Sequence, residues 1–224
     1  MADTAAGTYA VALHPAPPLT QVVRYADVMR TAALACLPGA VDAPMLAGRA
    51  RGGAAPGQHV HTHWLPYTTD AVRLTGLVAW CPAGWSSVEE RALRAVRHLA
   101  AVRATVTPTV VSWPQPSTWW ASLTAYVPGR HDTPLAEDIT RECQFRGLPA
   151  PAGVWELPAR GRWATARPSR RYDRLPPQPR QVACRFHTPV PAPLALGRLC
   201  HFGLGMFWPV NPAVLAERFG VPCS

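Results

Sequence analysis

Lysine is absent from all 224 residues: each of the 22 basic side chains is an arginine, and only 13 acidic residues oppose them, leaving a net charge of +9. The imbalance points to a polyanionic partner, because the rigid guanidinium fork matches phosphate and stacks on bases. Coding drift from Lys to Arg is the bland alternative, so charge supports nucleic acid without establishing it. Paired cysteines are missing too. Cys36, Cys81, Cys143, Cys184, Cys200 and Cys223 form no C-x-x-C pair and read as reduced, mostly buried thiols. No basic-then-apolar leader opens the chain and no run of about 18 apolar residues occurs, so neither secretion nor a membrane span is expected, and a cytoplasmic location is. No Gly-Lys-Ser/Thr follows a glycine-rich stretch and no Rossmann fingerprint follows the first strand, so no nucleotide cofactor is expected.

Present instead is enough apolar residue, 48%, to bury a core in one large domain or two small ones. Residues 8–13 (TYAVAL) read as a buried strand. From Arg24 to Leu37 the apolar positions Tyr25, Val28, Met29, Ala32, Ala33 and Cys36 share one helical face, and Pro38-Gly39 ends the helix. The alternation in GQHVHTHWLPY, residues 57–67, predicts a strand. Residues 74–80 predict its hairpin partner across a turn containing Asp70. Ser87-Val88-Glu89-Glu90 has the form of a capping box, opening a helix to about Arg103, and residues 105–111 close the unit as a strand.

The order is β-α-β-β-α-β, the ferredoxin-like (RRM-like) arrangement, with one sheet face left open. A degenerate second copy follows: strands at 119–126, 154–157, 182–186 and 206–210, and a helix after Thr133-Pro134 that buries Leu135, Ile139 and Cys143. The predicted class is therefore α+β, two tandem ferredoxin-like βαββαβ domains, 1–115 and 116–224, the second degenerate and ending in a glycine-rich loop.

On a strand, His59, His61 and His63 would share one face. Three readings stay open. A tetrahedral zinc site wants converging imidazoles with carboxylate support, and one strand rarely supplies three ligands. Acid/base catalysis suits an imidazole with a pKa near 6.5, which takes and returns protons at neutral pH, as RNA cleavage by 2′-OH attack requires. The structural reading makes them hydrogen-bonded side chains at a sheet edge.

Two further stretches bear on the choice. In residues 158–181, Arg160, Arg162, Arg167, Arg170, Arg171, Arg174 and Arg180 surround Trp163 and Tyr172, a composition able to pair phosphates and stack bases, or simply a solvated Pro-rich loop. Residues 194–210 (LALGRLCHFGLGMFWPV) set Gly197, Gly203 and Gly205 among apolar residues beside Arg198. Glycine there permits close approach of a phosphate or ribose, and its plain alternative is a bulged strand.

The chain resembles the repeat-RNA processing endoribonucleases of CRISPR systems, the "Cas six" family, and within it the processing domain of the subtype I-G (formerly I-U) "Cas five/Cas six" fusion called Csb-two. The matching blocks are His59 and His61 before Trp64-Leu65-Pro66; residues 120–124 with Tyr126-Val127-Pro128-Gly129-Arg130-His131; and Leu196-Gly197 with residues 201–207 (HFGLGMF). Departures are Gln58 between Gly57 and His59, and Ala125 and Asp132 in the middle block. The fused backbone-subunit domain has no counterpart, so a stand-alone version is expected.

The resemblance implies a metal-independent endoribonuclease that cuts CRISPR precursor RNA within repeats, leaves 5′-hydroxyl and 2′,3′-cyclic phosphate ends, and stays on the guide RNA 3′ hairpin in an effector complex with backbone-type subunits. His59 and His61 are the expected catalytic residues, with His131 and His201 next. Arg130, Arg198, the arginine-rich loop and the three glycines are expected on RNA. His63 falls where the family tends to carry an aromatic residue and is expected to be dispensable. No cofactor or metal is expected. The rival readings are a non-catalytic RNA-binding subunit and a metal-dependent hydrolase built on His59, His61 and His63.

Overall fold

A computed structural model describes residues 7–39, 41–49, 59–130, 132–159, 161–165, 167 and 178–222. The architecture is α+β with two five-stranded antiparallel sheets, and the chain divides into two compact units. Unit 1 lies within Met1–Val111 and also takes Arg167 and His201–Gly203; unit 2 holds the remainder. Both the arginine-rich stretch and the glycine-rich segment are thus shared between units rather than belonging wholly to the second half.

In unit 1, β1 (Gly7–His14) is followed by α1 (Val22–Ala35), the one-turn α2 (Pro44–Ala47), β2 (His63–Tyr67), β3 (Gly76–Cys81), α3 (Ser87–Ala95), β4 (His98–Leu99) and β5 (Ala104–Thr109). The sheet order is β2-β3-β1-β5-β4. The β2–β3 hairpin pairs His63 with Trp80 and Tyr67 with Gly76, as the turn around Asp70 predicts. That turn closes on the Asp70 carboxylate, which accepts from the backbone N–H groups of Val72 and Arg73 at 2.8 Å. α1 forms because Val22, Tyr25, Ala26, Val28, Met29 and Ala33 recur on one buried face, and it stops before Pro38.

Four expectations need correction here. The strand predicted over the whole histidine motif begins only at His63, because His59 adopts a left-handed φ of 61° that no ladder accepts. The capping box sits one residue earlier: Ser86 Oγ accepts from Glu89 N, and Glu89 Oε2 accepts from Ser86 N at 3.0 Å. α3 ends at Ala95 rather than near Arg103, and Val96 is already extended. Leu65, Leu77, Val78 and Ala79 are all buried, so consecutive positions on β2 and β3 are covered on both sides and the sheet offers no open face there.

Unit 2 runs β6 (Ser117–Ser122), α4 (Leu135–Gln144), β7 (Gly153–Leu157), β8 (Gln181–Val190), β9 (Leu194–Ala195), β10 (Met206–Pro209) and α5 (Pro212–Phe219), in sheet order β7-β8-β6-β10-β9. α4 packs Ile139 and Cys143 with Trp120, Val182, Cys184 and Phe207, whereas α5 packs Leu215 with Trp119 and Ala183. Strand alternation makes these opposite sheet faces. α5 was not anticipated, although Asn211, whose side chain accepts from Ala213 N, caps it and Pro212 occupies its first position. Cys36, Cys81, Cys143, Cys184 and Cys200 are free thiols. No helix among the described residues is long and apolar enough to cross a membrane.

Candidate functional site

Thr62 anchors the segment before β2. Its N–H and its hydroxyl both donate to Met45 O, at 2.9 and 2.8 Å, and its hydroxyl accepts from Trp85 Nε1 at 2.8 Å. Met45 and Leu46 are held in turn by Glu89 Oε1, at 2.9 and 3.2 Å, the carboxylate whose other oxygen caps α3. Buried Glu89 therefore ties α2 to α3 and steadies the strap carrying the histidines.

Four imidazoles gather on this frame. His201, from a 3-10 turn at Cys200–Phe202, lies against His61 and His63 with both ring-centroid distances 3.8 Å, and against His59 at 5.3 Å. His59 Nδ1 and His201 Nε2 are 3.2 Å apart, and His201 Nδ1 lies 3.3 Å from Thr62 O. A carbonyl only accepts, so His201 Nδ1 carries the hydrogen. In the neutral ring Nε2 then accepts, and His59 Nδ1 donates to it. The same rule makes His63 Nε2 the donor to His59 O, at 3.4 Å.

His63 is 1% exposed and also packs against Trp80 at 5.1 Å. These contacts speak against its being dispensable, since it supports both the His201 ring and the backbone of His59.

Protonation of two of these rings, His61 and His201, is disfavoured. Burial, then the neighbouring His59, then Arg30 lower the His61 pKa to about 4. Burial first, and then His63, His61 and His59, hold His201 well below 6.5, partly offset by the Thr62 carbonyl. Both rings are therefore neutral at pH 7. His61 Nδ1 is buried with no hydrogen-bond partner among the described residues.

His61 and His201 form one wall of a cavity of about 490 Å³, whose other walls include Arg30 and Thr31 of α1, Gly48, Arg49, Arg167 and Phe202. No carboxylate is among its described lining residues. The Arg30 and Arg167 guanidinium carbons lie 6.0 and 4.9 Å from the Phe202 ring centre. Gly48, at φ 74°, passes so close to His61 that a Cβ would stand 3.1 Å from its Nε2.

The structure thus brings together His59, His61, His63, His201 and Arg167. Arg130 is exposed and Arg198 half-buried in unit 2, where Arg198 N donates to Val127 O at 2.8 Å; Arg162 is exposed. Arg180 pairs with Glu156 at 2.9 Å. His131, Arg160, Arg170, Arg171 and Arg174 lie outside the described residues.

Gly197, Gly203 and Gly205 have φ of 84°, 82° and 60°, but protein fills the space a side chain would occupy: Tyr126 beside Gly197, Val22 and Trp64 O beside Gly203, and Leu196 O beside Gly205. Their lack of a side chain therefore serves packing at all three positions. The proposed ligand trio does not converge either. A tetrahedral ion needs ring nitrogens aimed at one point, and His59, His61 and His63 do not form a group whose ligand atoms all lie within 4.8 Å of one another. Arg30, Arg49, Thr62 and Phe202 escaped sequence reasoning; each is an ordinary residue for its element, and only long-range packing marks it.

Comparison of the chain with protein-family models, with curated proteins and with solved structures finds no match.

Proposed function

We propose that the chain is a metal-independent endoribonuclease that cuts CRISPR precursor RNA within its repeats. The observation that carries this reading is a cluster of histidines, two of them held neutral, on the wall of a cavity whose described lining holds three arginines and no carboxylate. The sheet orders support a tandem ferredoxin-like fold, since β2-β3-β1-β5 and β7-β8-β6-β10 are the same permutation of strands. The helix between β8 and β10 is replaced by β9 and a 3-10 turn.

In this reading neutral His61 removes the proton from a ribose 2′-OH, and the alkoxide attacks the adjacent phosphorus. Protonated His59, donating through Nδ1 to His201, keeps its Nε2 proton for the departing 5′-oxygen. The products carry a 2′,3′-cyclic phosphate and a 5′-hydroxyl. Arginines offset the charge that builds on the phosphoryl oxygens. The protein works in the cytoplasm, stays on the guide RNA 3′ hairpin and docks with backbone-type effector subunits.

The test is incubation with repeat RNA in EDTA, using the wild type, His59→Ala and His61→Ala. Cleavage in EDTA with at least a hundredfold loss in each variant is expected. Loss of wild-type cleavage in EDTA would reject the metal-free chemistry. Tight RNA binding by wild type without any cut would replace the reading with a non-catalytic RNA-binding subunit.

A further inference from the structure

We propose that the cavity beside α1 is a phosphate site in which Arg30, Arg49 and Arg167 hold one phosphodiester of a bound RNA strand. The inference deepens the reading above, resting on it only for the RNA source, and none of Arg30, Arg49 or Phe202 is needed for the acid/base assignment.

Charge argues first. Three arginines line the cavity and no carboxylate is among its described lining residues, so the described wall favours an anion over a cation. Geometry narrows the ligand. Phe202 is buried, and the guanidinium carbons of Arg30 and Arg167 lie 6.0 and 4.9 Å from its ring centre, which limits where the two cations can go. The planar N–H fork of an arginine has a spacing that fits two oxygens of one phosphate. The volume of about 490 Å³ exceeds what a lone anion fills and matches a phosphate with its attached nucleoside. Glycine at position 48 lines the cavity beside His61, where a Cβ would stand 3.0 Å from the ring.

The site also couples to the base. His61 is surrounded by positive or protonatable groups: Arg30 from α1, His59 from its own strap, His201 from the 3-10 turn, with Arg49 and Arg167 across the cavity. An anion seated among the arginines cancels the repulsion they exert on an imidazolium, so occupancy raises the His61 pKa towards the range useful for a base. Substrate binding and activation of the base become one event.

The experiment uses the full chain and inorganic phosphate. The histidine ring protons are titrated by NMR in phosphate and in chloride at equal ionic strength. We expect the His61 pKa, about 4 without phosphate, to rise by at least one unit, and phosphate to bind at least tenfold more weakly to Arg30→Gln and Arg167→Gln. A His61 pKa indifferent to phosphate overturns the site, as does undiminished binding in both variants. Should either variant fail to fold, the wild-type titration decides alone. A repeat RNA carrying a 2′-deoxy residue at the cut, which lacks the attacking hydroxyl, should displace phosphate; failure to displace it overturns the RNA source. Phosphate binding without RNA cleavage would reject the nuclease and keep the site. Cleavage with no phosphate effect would do the reverse.

Discussion

Replacing Gly203 with alanine should unfold the candidate site before it reaches any chemistry. The residue has φ 82°, where an alanine costs about 1–2 kcal/mol. A Cβ would also stand 2.5 Å from Val22 Cγ2 and 2.9 Å from Trp64 O, well inside the ~3.5–4.0 Å at which carbon atoms pack comfortably. Val22 is 0% exposed and cannot swing aside, and Trp64 belongs to β2, paired with Ala79 across the hairpin. Overpacking of this kind costs about 1–3 kcal/mol. The sum is about 2–5 kcal/mol, or a melting point lower by roughly 5–15 °C in a chain of this size.

Gly39 is the control: its φ is 53°, with nothing within 4 Å of the added Cβ, so Gly39→Ala should carry the backbone penalty alone. Urea denaturation followed by tryptophan fluorescence measures both. A Gly203→Ala protein no less stable than Gly39→Ala would refute the packing argument.

Stability should fall as the pH drops from 7 to 4. The folded His61 pKa lies near 4 and His201 is also lowered, so between about 6.5 and 4 the unfolded chain takes up protons that the native rings refuse. His61, discounted for its partial exposure, contributes about 1–2 kcal/mol to that fall. A His61→Leu protein should show a flatter profile by calorimetry, and an unchanged one would count against the shift. Glu89→Ala should cost about 2–4 kcal/mol in chemical denaturation, because it strands the N–H groups of Met45 and Leu46 and removes the glutamate half of the α3 capping box; a loss under 1 kcal/mol would contradict that. His63→Phe preserves the ring but loses the bond to His59 O. We expect about 0.5–1.5 kcal/mol of destabilisation and a fall in RNA cleavage larger than stability explains, whereas full activity would restore the view that His63 is dispensable.

What the chain reveals locally it reveals well. The β2–β3 hairpin, the inward face of α1 and the Ile139–Cys143 face of α4 follow from period and turn chemistry alone. Where local pattern misled, a tertiary contact decided. The alternation through His59, His61 and His63 reads as a strand, yet Met45 captures Thr62 and His63 Nε2 captures the carbonyl of His59, fixing a turn instead. Two overlapping Ser-x-x-Glu registers compete at Ser86 and Ser87, and the winner is the one whose glutamate also meets the buried N–H groups of Met45 and Leu46. His201 stands out in sequence only through its glycine-rich neighbours. Nothing local says that it will lie 3.8 Å from two histidines about 140 residues earlier.

That separation bears on how the molecule can be taken apart. Residues up to Val111 carry β1 through β5 and three of the four histidines, so they look like a transplantable module. They lack the ring those histidines stack on, the phenylalanine that braces Arg30 and the arginine opposite it, all of which return from positions beyond 165. A chain cut at that point would keep the motif and lose the site. Inheritance of the two halves is correspondingly linked: a change in the 201–203 turn is a change in the first unit, and recombination between them would have to exchange both segments together.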